Sequence, residues 1–464
     1  MRYLGTLLVI LLVTGCNQPS DSEAPFAKRN NGSNTQNSVD SSPKKGAASL
    51  NAKTAAFKQD LERLVDLAYQ TEEKQDYAGA ARIWGQLQQK MASQFGADAW
   101  QTVNAKLAYD MAYTRSQFSS EQLKTWYQIE NLQMLAEQNM KAGELQAAYT
   151  SVRQLAELQK KLFGSDSFVF AQALIQLATV DAGVGQYEMA VNNFNDSLEI
   201  FNALDLHDHP ERVMVHAGLA NAYQKLKKMK TAAANQKEAV RIAGNVWGKE
   251  SFEFATQANQ LAAIYHRAGN LNVAEDIFSR SLAIRERLLG DEHQAVAHSC
   301  LNLGVVLMDS RNLEEAEKVL SRANRIFLRQ YGADASISQR CADRLATVYM
   351  LMQQPEKAEP MLKGILKNLA RNNAPDSEPM LRYQYRLSIA LGRQGKYAEA
   401  EPIMQSVLNF QQQQFGDADP RTMATLKAYA MLLDRTNKAK SAEKIRQRIN
   451  RVAHQVDSND FQRR

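Results

Sequence analysis

The sequence predicts an all-α protein, a right-handed solenoid of stacked helical hairpins. Two observations carry that expectation. A short pattern recurs seven times at a constant step of 42 residues: GELQAA from Gly143, GQYEMA from Gly185, KKMKTA from Lys227, GNLNVA from Gly269, RNLEEA from Arg311, QQPEKA from Gln353 and GKYAEA from Gly395. A fixed period of this length marks a repeat array whose unit is one supersecondary element. The composition agrees. Pro is scarce at 10 residues and aromatics make up 8%, while the strong helix formers Ala, Leu, Gln, Glu and Lys are abundant.

The elements follow in chain order. Arg2 precedes an almost wholly apolar run from Leu4 to Val13, too short to remain in a bilayer as a spanning helix. Small residues close it at Val13-Thr14-Gly15-Cys16, and LVTGC resembles a bacterial lipobox. That resemblance implies that residues 1–15 are a lipoprotein signal peptide, that Cys16 is lipidated, and that the protein is exported and held to a membrane. In a Gram-negative cell Asn17, not being Asp, sends it to the outer membrane facing the periplasm. Residues 16–50 are rich in Ser, Asn, Pro, Gly and Lys with Phe26 the only aromatic, which predicts a disordered tether.

A first helical hairpin is expected over 51–96, centred on the DYAGAA stretch at Asp76. Tyr77 and Leu145 occupy equivalent places yet stand 68 residues apart, 26 more than one period, which predicts an extra helix within 97–119, near Trp100 to Ser116. Seven repeats of about 42 residues then fill 120–416. Their second helices close on an aromatic residue or Leu followed by Gly, at Phe163-Gly164, Trp247-Gly248, Leu289-Gly290, Tyr331-Gly332 and Phe415-Gly416, since Gly ends a helix without steric cost. Residues 417–464 are expected to be degenerate capping helices; KAKSAEKIRQRINRVAHQV, from Lys438 to Val456, is polar and basic, as a solvent-facing end should be.

Leu261-Ala262, Tyr265, Gly269, Leu271, Ala274 and Phe278 resemble the tetratricopeptide repeat (TPR) signature. The 42-residue step, punctuated by His207-Asp208-His209-Pro210 and Asp417-Ala418-Asp419-Pro420, is similar to the longer kinesin-light-chain type of that repeat. The resemblance covers roughly residues 54–455, and FGADAWQTVNAKLAYDMA from Phe95 looks like a segment of planctomycete-type bacterial TPR proteins. It implies that the first helix of each repeat lines a concave groove and the second forms the outer wall.

Catalysis is not expected. The seven histidines include no pair at metal spacing with a third ligand nearby, and there is neither a GxxxxGK[ST] phosphate loop nor a GxSxG elbow. No cofactor or metal site is indicated. A formal net charge of +6 over 464 residues is too modest to indicate nucleic acid. Cys300 and Cys341, in neighbouring repeats, read as buried free thiols, although an exported compartment would permit them to pair.

Carrying the family's groove positions across gives neutral residues first: Gln172, Ile175 and Gln176, then Met214, Ala217 and Asn221. Thr256, Asn259 and Gln260 follow, then His298, Leu301 and Asn302, then Arg340, Asp343 and Arg344, and finally Arg382, Tyr385 and Arg386, with Arg393 further along the same helix. Asn302 with Arg340 and Arg344 resembles half of a carboxylate clamp; Asn259 and Ala263 depart from the other half. A guanidinium fork suits a carboxylate or phosphate, so the expected partner is another protein or peptide segment, an acidic one included. Three other readings stay open. The stripe is solvated surface or pairs with acids such as Asp343; the protein is an envelope-assembly component using its convex face; or it binds polyanions, adding Lys438, Lys440, Lys444, Arg446, Arg448 and Arg451.

Overall fold

A computed structural model describes residues 45–371 and 377–462, and among them every regular element is a helix. They fall into two compact units divided at Gln257 and Ala258. The expected signal peptide and Cys16 lie outside the described residues. So does most of the expected tether, but its end does not: residues 45–50 are helical, since KGAASL adds Ala and Leu to the first turns of the helix that follows.

The N-terminal unit holds α1 (Lys45–Glu73), α2 (Tyr77–Phe95), α3 (Trp100–Ser116), α4 (Ser120–Ala142), α5 (Leu145–Phe163), α6 (Phe168–Gly183), α7 (Tyr187–Ala203), α8 (Pro210–Lys225), α9 (Met229–Trp247) and the start of α10 (Phe252–Arg267). The C-terminal unit continues through α11 (Leu271–Leu289), α12 (Gln294–Asp309), α13 (Leu313–Tyr331), α14 (Ser336–Leu351), α15 (Pro355–Leu369), α16 (Glu378–Arg393), α17 (Tyr397–Phe415), α18 (Pro420–Arg435) and α19 (Ala439–Gln462). Helices α4 to α9 pack on one another in chain order, and so do α11 to α19, giving an all-α solenoid of hairpins.

Each hairpin is specified locally. Side-chain caps recur on the 42-residue register where a first helix begins: Ser167 accepts from the Phe170 amide at 3.2 Å, His209 Nδ1 from Glu211 at 3.3 Å, Ser251 from Phe254 at 3.1 Å, His293 Nδ1 from Ala295 at 3.1 Å and Asp419 from Arg421 at 2.8 Å. Two of the seven histidines are thereby helix caps. The turn inside a hairpin needs a left-handed residue. Gly269 supplies it at φ 81°, whereas Lys227, Arg311 and Gln353 adopt it at 59°, 65° and 59°.

The two helices of a hairpin approach over small residues. Ala190, Ala232, Ala274, Ala316, Ala358 and Ala400 are fully buried, and the side chain one turn later fills the space beyond, as with Phe194, Phe278, Leu320 and Met404. Gly304 packs so closely that an added Cβ would stand 2.4 Å from Leu320 Cγ. Gln236 occupies the equivalent of Phe278 and is satisfied through Nε2, which donates to Gln257 O at 3.1 Å and Gln257 Oε1 at 3.0 Å. In the C-terminal unit one apolar cluster runs unbroken from Ala262 to Ala442. Cys300 and Cys341 lie inside it as buried free thiols, pushed up by burial to about 11 and about 12.

Helix α3 departs from nearest-neighbour stacking. It packs on α2, yet Val103 and Leu107 also contact the cluster holding Phe201, Val215 and Leu219 on α7 and α8. Trp100 Nε1 donates to Val246 O at 3.2 Å, and Asn104 Oδ1 meets His209 Nε2 at 2.6 Å. At the other end Arg115, 1% exposed, donates through Nη2 to Glu72 Oε1 at 2.8 Å, which also accepts from Trp84 Nε1 at 3.0 Å. The same guanidinium lies 5.1 Å from the Tyr77 ring centre and 5.0 Å from that of Trp126, joining α1, α2, α3 and α4.

Candidate functional site

The arginine stripe lies in the C-terminal unit, on the first helices α14 and α16. A recurring seam between successive first helices positions it. His266 Nε2 on α10 meets Asp309 Oδ2 on α12 at 2.7 Å; Arg386 on α16 pairs with Asp343 on α14; Arg393 Nη1 donates to Met350 O at 3.0 Å; Arg421 Nη1 on α18 donates to Glu378 Oε1 at 3.4 Å. Each contact spans 43 residues, one more than the period.

That seam divides the expected residues into two groups. Arg386, half-buried, is committed to Asp343, and its Nη2 donates to Thr347 Oγ1 at 2.7 Å. Arg393 is committed to a backbone carbonyl. Arg340 and Arg344 are exposed, and among the described residues neither has a carboxylate partner. Arg382 is also exposed and lies 5.0 Å over the buried Tyr383 ring, its Nη2 within 3.5 Å of that hydroxyl. Three guanidiniums therefore remain available, each backed by a helix whose other face is packed.

The aromatic residue beside the arginines is Tyr383, not Tyr385. Tyr385 is half-buried against the core and its hydroxyl is raised by that burial. His298 sits edge-on to Phe327 at 5.0 Å, and desolvation of its ring, with Arg285 and then Arg340 nearby, holds it below the usual imidazole value. Asn302 is half-buried on α12. Asn259 is half-buried on α10, with Oδ1 unmatched by a donor. The stripe proper thus comprises residues of α14 and α16.

A second feature, which sequence reasoning missed, lies wholly in the N-terminal unit. Gln172, Ile175 and Gln176 of α6 and Met214 of α8, all at expected groove positions, line a cavity of about 850 Å³ together with residues of α3 and α4. Its walls are mostly apolar, with Leu107, Met111, Ile129 and Phe168 among them, and they carry the acids Asp110, Glu130 and Glu211. Burial raises the carboxyl of each above its usual value, Glu211 to about 7. Gln172 Nε2 donates to Glu211 Oε1 at 2.7 Å, whereas Glu211 Oε2 is buried without a donor. The only sequence signals were the surplus of 26 residues around α3 and the first-turn position of Glu211 after Pro210.

Among the described residues, no group of three or more His, Cys, Asp or Glu is placed to hold a metal. No helix of those residues is long and apolar enough to cross a membrane.

The tetratricopeptide repeat sequence model matches residues 169–245, 253–329, 338–413 and 379–448, more than half of the chain. No functionally curated protein matches it. Among solved structures it is similar to BtubC (BKLC) from P. vanneervenii, at 22% identity over 55% of this chain and 95% of that one, with a TM-score of 0.41. The apo quorum sensor NprR from B. thuringiensis matches at 12% identity, covering 85% of this chain and 99% of that one, with a TM-score of 0.48. A signal transduction ATPase with a tetratricopeptide repeat sensor, from Pyrococcus horikoshii, matches at 12% identity over 80% of this chain and 52% of that one, with a TM-score of 0.50. At such identities the likeness is one of fold.

Proposed function

The chain belongs to the tetratricopeptide repeat family, and on that premise we propose that it is a membrane-anchored, non-catalytic scaffold holding an acidic segment of another protein against α14 and α16. The observation that carries this reading is the split within the arginine stripe. Arg386 and Arg393 are spent on holding successive first helices together, while Arg340, Arg344 and Arg382 stay exposed on that fixed frame. Exposed guanidiniums on packed helices present forked donors to carboxylates.

The polyanion reading draws less support, because two cations of the C-terminal helix are already paired, Arg446 with Asp434 and Arg448 with Asp417. Arg340→Glu with Arg344→Glu is expected to abolish co-purification of the partner crosslinked in the native envelope, with the helical melt unchanged. Retained capture would overturn groove binding. Anchoring through Cys16 is tested alongside: Cys16→Ser should move the protein from the membrane to the soluble fraction, and persistence in the membrane would overturn it.

A further inference from the structure

The cavity of the N-terminal unit has the chemistry of a binding site, and one opposite in charge to the arginine stripe. Its volume of about 850 Å³ lies in the range of small-molecule sites, which combine apolar walls with a few placed polar groups. Seven helices contribute to it, α1 to α6 and α8, and α3 lies across the expected groove residues of α6 and α8 as a roof. That roof is fixed at both ends, by Trp100 and Asn104 on one side and by Arg115 on the other. A protein segment seeking this stretch of the groove would meet α3.

The unmatched polar atoms of the walls say what the occupant must bring. Three buried oxygen acceptors have no donor, Glu72 Oε2, Gln159 Oε1 and Glu211 Oε2, against one unmatched donor, Trp126 Nε1. A buried acceptor left without a donor is costly, and an ammonium group carries three donors and no acceptor. The charge balance points the same way. Asp110, Glu130, Glu137 and Glu211 line the cavity without an ion pair among the described residues, and the basic side chains on its walls are Lys141 and His209, the latter pushed down by burial to about 3. We propose that this cavity binds a compact organic cation, an apolar body bearing one primary ammonium group that pairs with the acids of the wall, Glu211 and Glu130, while the body packs against Met111, Ile129 and Phe168.

The site is tested with matched probes on the full chain at pH 7.5. Isothermal titration calorimetry is run with 4-phenylbutylamine, 4-phenylbutanol and 4-phenylbutyrate, which share one apolar body. The amine is expected to bind at least tenfold more tightly than the alcohol, and the carboxylate not at all. Glu211→Gln keeps the acceptor for Gln172 and should bring amine affinity down to that of the alcohol, with a melting temperature no lower than that of the native chain. Glu130→Gln is a second charge removal, expected to weaken the amine alone. Equal binding of amine and alcohol, no binding of either, or an undiminished amine preference in Glu211→Gln would overturn the proposal. Arg340→Glu with Arg344→Glu should leave amine binding intact, so failure of the stripe and failure of the cavity are read separately.

Discussion

His209 and Glu211 stand two residues apart at the start of α8 and titrate in opposite senses. Burial, with Arg212 adding to it, pushes His209 down to about 3 from 6.5. Burial, opposed by the Gln172 hydrogen bond, pushes Glu211 up to about 7 from 4.5. From pH 6.5 down to about 3 the unfolded chain binds the extra proton at the histidine, so stability falls as pH drops. From pH 4.5 up to about 7 the folded chain holds the extra proton at the glutamate, so stability falls as pH rises. The two slopes cancel between 4.5 and 6.5 and act alone outside it. Glu211→Gln should therefore match the native chain near pH 4.5 and exceed it by up to about 3 kcal/mol at pH 8, as read by urea unfolding at the two pH values. An equal difference at both would show that Glu211 ionises normally. At this scale the sequence was partly legible. Helical phase placed Arg340 and Arg344 on an exposed face, but pairing depends on what lies 43 residues away. That residue is Asp343 for Arg386 and the apolar Leu301 for Arg344, which is why otherwise similar arginines meet different fates.

Among the elements, the hairpins were legible because everything that forms them is local: a cap, an Ala at the close approach, a left-handed turn, a closing Gly. Helix α3 was not, since only its existence is encoded locally. Its course rests on contacts with residues 105 and 146 positions away. Its hold on α1 rests on the buried Arg115–Glu72 pair, and removing one member of such a pair leaves an uncompensated charge. Arg115→Met or Glu72→Leu alone is expected to cost about 3 to 5 kcal/mol, whereas the double substitution should cost clearly less than either. Urea unfolding of the three variants measures this. Additive losses would mean that the pair is not coupled.

For the whole molecule, stability is close to a sum over hairpins and the interfaces between neighbours. Ending the chain after Gly416 removes α18 and α19 and bares the face of α17 that packs on α18. The unfolding midpoint should fall and the denaturant slope shrink with the lost area. An unchanged midpoint would mean that the last hairpin adds no interface energy.

The path of α3 also has a consequence for the order in which the chain is made. A solenoid with only neighbouring contacts can settle hairpin by hairpin as it leaves the ribosome. Here Trp100 must wait for Val246, 146 residues later, which at synthesis rates of roughly 5–20 residues per second is on the order of ten seconds. Val103 and Leu107 wait in the same way for Phe201, Val215 and Leu219. The N-terminal unit is therefore completed by its last helices, not by its first.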